Sequence, residues 1–257
     1  SSSSSTMVAG CKCAILGDWA ASLAHARLPY ANQDGPRPAD ESVDQLTIAY
    51  AIRRAHVSPA TRASAVRSLA SPCAVWKHDR WEQVAPGSER RRFGYGEPFG
   101  DREAVLFPGG EAISVPRHLA AKTVKTFMFI ETQNPLLWET TRLAPLLSPL
   151  LGPLVAGPLG DFVRAQVEAA GGPPTPEERE ATEFVVLAIA EDGFNRARVV
   201  IRGHDPYRIS GEICSAGALA LASRKLGGGV LAPSEVFDPR ARLYSLASRG
   251  LIEVEES

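Results

Sequence analysis

The strongest pattern of hydrophobic and polar positions lies between residues 183 and 201. Residues 184–190 (FVVLAIA) form an apolar run rich in β-branched side chains, and residues 195–201 alternate between apolar and polar positions. A continuous apolar run is typical of a strand that is buried on both faces, whereas alternation is typical of a half-buried strand. Gly193, between the two segments, can adopt the positive φ of a tight turn. The pattern therefore predicts a β-hairpin.

A polar loop and a helix are predicted to follow this hairpin. The loop spans residues 203–207 (GHDPY), where Pro206 lacks the N–H group that a β-ladder requires. Ser210 is the predicted N-cap of a helix over residues 211–226, which ends at the three glycines 227–229. The alanines and glycines of this helix would allow another backbone to approach closely.

The rest of the pattern predicts an α+β fold. Helix signals occur in residues 17–28, 58–70 and 239–249. Strand signals occur in residues 43–52, 73–84, 104–107, 113–115, 123–130, 230–232 and 251–254. The segment 73–84 reads as a second hairpin, in which Trp76 and Trp81 pack on each other. We expect a mixed, largely antiparallel sheet with helices packed mainly on one face.

A segment rich in proline and leucine interrupts this pattern. Residues 143–160 carry no formal charge and approach the length needed to cross a bilayer, but four prolines and three glycines oppose a continuous spanning helix. We interpret residues 135–175 as an insertion of short helices that covers the open face of the sheet or forms a dimer contact. The alternative is a peripheral membrane or lipid contact through residues 136–159.

Composition and charge are those of a soluble globular protein. The chain has 257 residues, a net charge of −1 and 44% hydrophobic residues, which gives no indication of a nucleic-acid partner. The basic run at residues 90–92 is interpreted as an exposed loop. Residues 1–7 are expected to be a disordered or artificially added tail without a signal peptide, and residues 8–257 a single domain. The four cysteines lack the spacing of a zinc site, so we expect no metal, free thiols and a cytoplasmic location.

Two groups of residues are candidates for binding a substrate. His204, Tyr207 and Arg208 precede or begin a helix, where backbone N–H groups favour a carboxylate or carbonyl group. The alternative is a turn in which Asp205 caps the backbone and Tyr207 packs. Arg117 and His118 follow a predicted strand, so that Arg117 would either hold a substrate carboxylate by two hydrogen bonds or form a surface ion pair.

Other candidate sites are interpreted as structural. The glycines of residues 94–100 lack the spacing and the strand–helix context of a phosphate-binding loop. Glu212 is assigned to a helix N-terminus, and Cys214 is expected to be buried and inert. No catalytic acid or base is identified from the sequence.

Several segments together resemble one enzyme family. They are residues 17–21 (GDWAA), the helix at residue 58 that leads into the tryptophan hairpin, and residues 111–118 (EAISVPRH), 203–207 (GHDPY) and 228–233 (GGVLAP). Over residues 8–254 the chain resembles the saccharopine dehydrogenase-like oxidoreductases.

The resemblance implies the C-terminal, substrate-binding and dimerisation portion of an NAD(P)-dependent oxidoreductase, which acts on a small molecule as a homodimer. That family begins with a Rossmann domain that carries G-x-G-x-x-G after its first strand. No such glycine set stands between a strand and a helix here, so NAD(P) is expected to be bound mainly outside this chain. The alternatives are a cofactor-free binding or cyclase-like module that has lost the Rossmann half, and a lipid-associated scaffold.

Overall fold

The protein has an α+β fold built on a mixed, mostly antiparallel sheet. The computed structural model describes residues 14–29, 37–62, 64, 72–131, 165, 172–223 and 229–257. The strands in this part of the chain are β1 (Gln45–Arg53), β2 (Cys73–Lys77), β3 (Arg80–Val84), β4 (Arg90–Gly94), β5 (Asp101–Leu106), β6 (Thr123–Ile130), β7 (Glu183–Asp192), β8 (Asn195–His204) and β9 (Ile252–Glu256).

The first helix precedes β1, and the other described helices lie between strands along the chain. The helices are α1 (Ala14–Arg27), α2 (Glu111–Ser114), α3 (Pro176–Ala181), α4 (Pro206–Ser223), α5 (Pro233–Val236) and α6 (Pro239–Ser248). A 3-10 turn (Val115–Arg117) continues α2, and residues 59–62 form a further helical turn.

The sheet is organised around β1 and β7. Its strand order is β3-β2-β6-β1-β7-β8-β9. The strand β5 pairs with β4 and also with the part of β6 that β2 leaves unpaired. β1 and β6 are parallel, with Leu46 opposite Val124, while the other pairs of described strands are antiparallel. The middle residues of β1 and β7 are buried and mainly apolar, because both faces of the sheet are covered there.

The longer helices cover one face of the sheet. α1 buries Leu16, Trp19 and Leu23 against β7 and β8, and α4 adds Ile209 and Ile213 to the same core. The helices therefore pack mainly on one face, as expected from the sequence.

The hairpin of β4 and β5 covers the opposite face. Phe93, Tyr95 and Phe99 join a second core that includes Val185 and Leu187 of β7. The Tyr95 hydroxyl donates a hydrogen bond to the carbonyl oxygen of Tyr50 in β1, 3.1 Å away. The predicted insertion at residues 135–175, expected to cover the open face of the sheet, to form a dimer contact or to contact lipid through residues 136–159, lies outside the described residues apart from residues 165 and 172–175.

The two predicted hairpins are confirmed. β7 and β8 pair over their full lengths, and Gly193 in their turn has a φ of +57°. Trp76 and Trp81 pair across β2 and β3 with ring centroids 4.8 Å apart and planes inclined by 68°. Both hairpins form from residues close in sequence, which is why the pattern alone identified them.

The strand predicted at residues 113–115 is wrong, because residues 111–117 are helical. Glu111, Ala112 and Val115 are buried, and this spacing of three to four residues places them on one face of a helical turn. The apolar alternation of Ile113 and Val115 was too short to separate the two periods.

The exposed loop predicted at residues 90–92 is also wrong, since these residues lie in β4. Arg90 is paired with Glu103 on the neighbouring strand, and Arg91 lies 3.6 Å from Glu191. The charges of Arg90 and Arg91 are accommodated because a carboxylate of the paired strand β5 and one of β7 lie close to them.

Two boundaries near the C-terminus differ from the prediction. The helix expected to begin after Ser210 begins at Pro206, and Asp205 caps it by accepting hydrogen bonds from the backbone N–H groups of Tyr207 and Arg208. Residues 230–232 do not form a strand but lead into α5. The last helix is found where it was predicted, and Asp238 caps it by accepting a hydrogen bond from the Ala241 N–H.

No helix in the described part of the chain is long and apolar enough to span a bilayer. The tail at residues 1–7 lies outside the described residues.

Candidate functional site

A single buried carboxylate connects three separate segments on the helical face of the sheet. Asp18 lies in α1, and no part of it is exposed to solvent. Its neighbours Leu16 and Trp19 belong to the apolar core. A carboxylate in such a place requires several hydrogen-bond donors to offset the loss of water.

The donors to Asp18 come from α2, the 3-10 turn and α5. Ser114 Oγ donates to Asp18 Oδ2 at 2.6 Å, and His118 Nε2 lies 3.0 Å from the same oxygen. The N–H of Ser234 donates to Asp18 Oδ1 at 3.1 Å, and the Ser234 hydroxyl donates to that oxygen as well. Both carboxylate oxygens are therefore held, each by two donors.

These contacts keep Asp18 ionised. Burial by itself raises the pKa of a carboxyl group, but the hydrogen bond and the charge of His118, together with the bonds from Ser114 and Ser234, lower the pKa of Asp18 below its ordinary value. The buried side chain of Asp18 therefore carries a fixed negative charge on the covered side of α1.

Asp18 fixes the orientation of the His118 ring. A carboxylate accepts hydrogen bonds only, so the Nε2 atom of His118 carries a proton. In the neutral ring the other nitrogen, Nδ1, is then an acceptor, and no described residue supplies a hydrogen bond to it. About 11% of the His118 side chain is exposed. Nδ1 is therefore the ring atom left to accept a hydrogen bond from a bound molecule.

The site differs from a serine nucleophile triad. In a triad the serine hydroxyl contacts the histidine, which removes its proton. Here Ser114 and Ser234 contact Asp18 instead. The serines therefore position the carboxylate and are not activated by the histidine.

Arg117 lies beside this cluster. Its Nη2 atom donates to the carbonyl oxygen of Val230 at 2.6 Å, its Nε atom lies 3.7 Å from Glu235, and 43% of its side chain is exposed. The predicted pair Arg117 and His118 is thus found at the contact between the 3-10 turn and the segment that leads into α5. Arg117 has the surface ion pair that was the alternative to substrate binding.

The helix α1 approaches β1 closely at Gly17, the residue before Asp18. A Cβ atom at Gly17 would collide with the Tyr50 hydroxyl, so no other residue type fits there without movement. Tyr50 donates a hydrogen bond to Glu111, which is fully buried. This contact joins β1 to α2 and sets the position of Ser114 one turn later.

The other predicted residues lie at the C-terminal end of β8. His204 is exposed and pairs with Glu183 in the sheet, while the hydroxyl of Tyr207 accepts a hydrogen bond of 2.7 Å from the N–H of Ser58. Arg208 is exposed in the first turn of α4. The five predicted residues therefore fall into two groups with different partners.

Comparison with known proteins gives no assignment. No protein-family model matches the chain, and neither does any curated protein. The functional argument therefore rests on the residues themselves.

Asp18 was not identified as a site residue from the sequence, although one signal was available. Residues 14–24 contain a single charged residue, Asp18, within a segment that is otherwise apolar or small. A lone charge in a buried helix indicates a specific partner. The partners Ser114, His118 and Ser234 could not be identified in the same way, because no local pattern links them to α1.

The cysteines and the acidic residues of the described part of the chain form no metal-ligand group. Cys73 is buried, and its pKa is raised to about 12 by burial. Cys214 is exposed, so the expectation that it is buried is wrong; α4 turns it away from the core formed by Ile209 and Ile213.

Proposed function

We propose that this chain is the substrate-binding and dimerisation portion of a saccharopine dehydrogenase-like, NAD(P)-dependent oxidoreductase. Its small-molecule substrate carries a carboxylate or carbonyl group and binds beside Arg117 and His118. The observation that carries the proposal is the His118 ring, which the buried, ionised Asp18 holds in one orientation, and which follows the partly exposed Arg117 directly in the chain.

This arrangement fits the binding of an oxygen-rich substrate. The exposed donors of Arg117 match the two oxygens of a carboxylate. His118 can exchange a proton with a hydroxyl, amine or carbonyl group of the bound molecule. Ser114 and Ser234 contribute indirectly, because they hold the carboxylate that orients the ring.

The described residues do not fit a dinucleotide. The parallel strands β1 and β6 are separated in the sequence by two hairpins and the short helix α2, and within the described residues no glycine-rich turn leads from one parallel strand into a helix of that sheet. A Rossmann site needs such a turn at a helix N-terminus to hold the pyrophosphate. The proposal accordingly assigns NAD(P) mainly to residues outside this chain.

Two titrations of the purified chain test the proposal. NADPH should show essentially no binding by fluorescence, and tight stoichiometric binding would overturn the assignment.

Pyruvate, which carries both a carboxylate and a carbonyl group, should shift the NMR signals of the His118 ring. Arg117→Ala should remove that shift and Arg208→Ala should retain it. The reverse result would move the site to the end of β8.

A cofactor-free binding or cyclase-like module is the second candidate. The Asp18–His118 contact favours it, because an imidazole held by a carboxylate can exchange a proton without a cofactor. The two candidates differ in the reading frame that precedes Val8. A Rossmann domain with a glycine fingerprint encoded there supports the oxidoreductase, and a frame without one supports the cofactor-free module.

A further inference from the structure

One buried tryptophan differs from the other tryptophans of the described residues in its hydrogen bonding. Trp76 donates its indole N–H to the carbonyl oxygen of Ala121 at 2.7 Å. Trp81 donates to the carbonyl oxygen of Ala112 at 3.1 Å. The indole N–H of Trp19 has no partner among the described residues, although only 1% of this residue is exposed. A buried donor of this kind in a native protein points to a bound water, ion or ligand.

Trp19 lines a small cavity between α1, α4 and α6. The volume of the cavity is about 60 Å³, and its apolar wall also contains Ile213, Ala216, Phe237 and Leu246. A volume of this size holds about four atoms as large as a water molecule. Polar side chains of α4 and α6 that are half-buried or exposed complete the lining, so the cavity reaches the protein surface; they are Glu212, Arg242, Ser245 and Arg249.

The cavity offers more hydrogen-bond donors than acceptors. The guanidinium of Arg242 lies 4.4 Å from the centre of the Phe237 ring and forms no hydrogen bond or ion pair with a described residue. Glu212, the one carboxylate of the described lining, is paired with Arg249, whose Nη2 atom lies 2.9 Å from Glu212 Oε1. The charge of Arg242 is therefore left without a counter-ion in the lining, in the same cavity as the unpartnered N–H of Trp19.

A carboxylate group fits these donors better than water does. A water molecule brings two donors of its own, which would need acceptors in a lining whose carboxylate is already paired. A carboxylate brings only acceptors, and its hydrogen bonds to a guanidinium are stronger than those between neutral groups. Its negative charge would also offset the positive charge of Arg242.

We infer that the cavity between α1, α4 and α6 binds a small carboxylate. One carboxylate oxygen would accept a hydrogen bond from the indole N–H of Trp19, and the guanidinium of Arg242 would donate to the same group. The carbon atoms of the ligand would contact the apolar wall. The inference does not depend on the proposed oxidoreductase function, because none of the side chains that hold Asp18 lines this cavity.

Acetate tests the inference through the indole N–H signals of the ¹⁵N-labelled chain. The Trp19 signal, assigned by the contact of this ring with Phe237, should move downfield and saturate in the millimolar range that is expected for so small a ligand. The signals of Trp76 and Trp81, which already donate to carbonyl groups, should stay in place. A Trp19 signal that does not respond to tens of millimolar acetate would overturn the inference and leave bound water as the partner of this N–H.

A neutral analogue and a charge-removing variant test the role of Arg242. Acetamide has nearly the size of acetate but no charge, and should bind about tenfold more weakly. Arg242→Gln should weaken acetate binding about threefold. Arg240→Gln, on the same helix but paired with Glu256, is the matched control and should not change the affinity. Equal affinities for acetate and acetamide, or an unaltered acetate affinity in Arg242→Gln, would contradict the inference.

Arg117→Ala separates this cavity from the proposed substrate site. Trp19 follows Asp18 in the chain, so a ligand bound beside His118 could shift the Trp19 signal through α1. If acetate binds in the cavity, its effect on the Trp19 signal should be the same in Arg117→Ala as in the wild type, whatever this variant does to the response of His118 to pyruvate. Loss of the Trp19 response in Arg117→Ala would assign the shift to the other site and overturn the inference.

Discussion

Asp18 and His118 are separated by 100 positions in the sequence, yet His118 Nε2 lies 3.0 Å from Asp18 Oδ2 in the core. The contact joins α1 to the 3-10 turn after α2, and Ser234 brings α5 to the same carboxylate. One ionised side chain thus sets the relative position of three segments. A group with this role should affect both the stability of the fold and the geometry of the site.

Asp18→Asn should destabilise the protein by about 3 kcal/mol, because the amide cannot replace a carboxylate that accepts hydrogen bonds on both oxygens. Its NH₂ group would face the donors of Ser114, His118 or Ser234. Urea unfolding at pH 7 measures the loss. Asp40→Asn removes a carboxylate that is exposed, and should change the free energy of unfolding by less than about 0.5 kcal/mol. Similar values for both variants would contradict the role assigned to Asp18.

The difference between local and distant contacts explains how much of this fold the sequence could predict. The β7–β8 hairpin depends on the apolar run of residues 184–190 and on Gly193, all within one short segment. The pattern of these residues already contains both the strand period and the turn. The prediction of the hairpin is therefore confirmed, although β7 extends to Asp192 and β8 to His204, beyond the predicted ends of the strands.

Contacts between distant segments account for the predictions that were wrong. Residues 111–115 were predicted to contain a strand, but Glu111 is buried against Tyr50 of β1, and this contact favours a helical turn. Asp205 rather than Ser210 caps α4. The strand β8 stays paired with β7 as far as His204, and the helix begins directly after Asp205. Neither boundary can be obtained from spacing alone.

The candidate site was predicted only in part, because its residues also come from segments that are distant in the sequence. Arg117 and His118 were identified because they follow a short apolar segment and a proline. Asp18, which organises them, lies almost a hundred residues earlier. Only the folded chain shows that these residues belong together, and whether they bind a substrate remains a prediction.

A second prediction concerns the pH dependence of stability. His25 is buried, and its Nε2 atom lies 2.8 Å from the carbonyl oxygen of Glu41. Burial is the main cause that lowers the pKa of His25 below 6.5. Because the folded-state pKa lies below the unfolded one, the stability is fully present above about pH 6.5 and is lost as the pH falls toward the folded-state pKa.

The variant His25→Gln should show a weaker loss of stability between pH 7 and pH 5 than the wild type, since glutamine does not titrate. NMR titration of the His25 ring provides a direct measurement, with a midpoint expected below 6.5. His78→Asn, in the exposed turn between β2 and β3, should leave the pH dependence of the wild type unchanged. A His25 midpoint at or above 6.5 would contradict the prediction.

Two glycines should respond to alanine in opposite directions. At Gly203 the new Cβ atom would lie 2.7 Å from the Phe184 ring and 3.2 Å from the carbonyl oxygen of Leu251, so Gly203→Ala should cost about 1–3 kcal/mol. At Gly217, inside α4, the Cβ atom meets nothing within 4 Å. Gly217→Ala should stabilise the protein by about 0.5–1 kcal/mol, because alanine favours the helix. Thermal and urea unfolding of both variants measure these changes. A Gly203→Ala variant at least as stable as the wild type would show that packing at Gly203 is looser than the structure indicates, and a destabilised Gly217→Ala variant would contradict the open space at Gly217.

The last prediction separates the two cysteines of the described residues. Burial raises the pKa of Cys73 to about 12 from 9.0, which makes its reactive thiolate about 1,000-fold scarcer than that of an ordinary thiol near pH 8. Cys214 lies on the exposed side of α4. Iodoacetamide should therefore modify Cys214 in the folded protein and leave Cys73 unmodified, as measured by mass spectrometry of the separated peptides. In urea both should react, which controls for detection of the Cys73 peptide. Rapid modification of Cys73 without urea would mean that β2, the strand that carries it, opens far more readily than its fully buried position in the core implies.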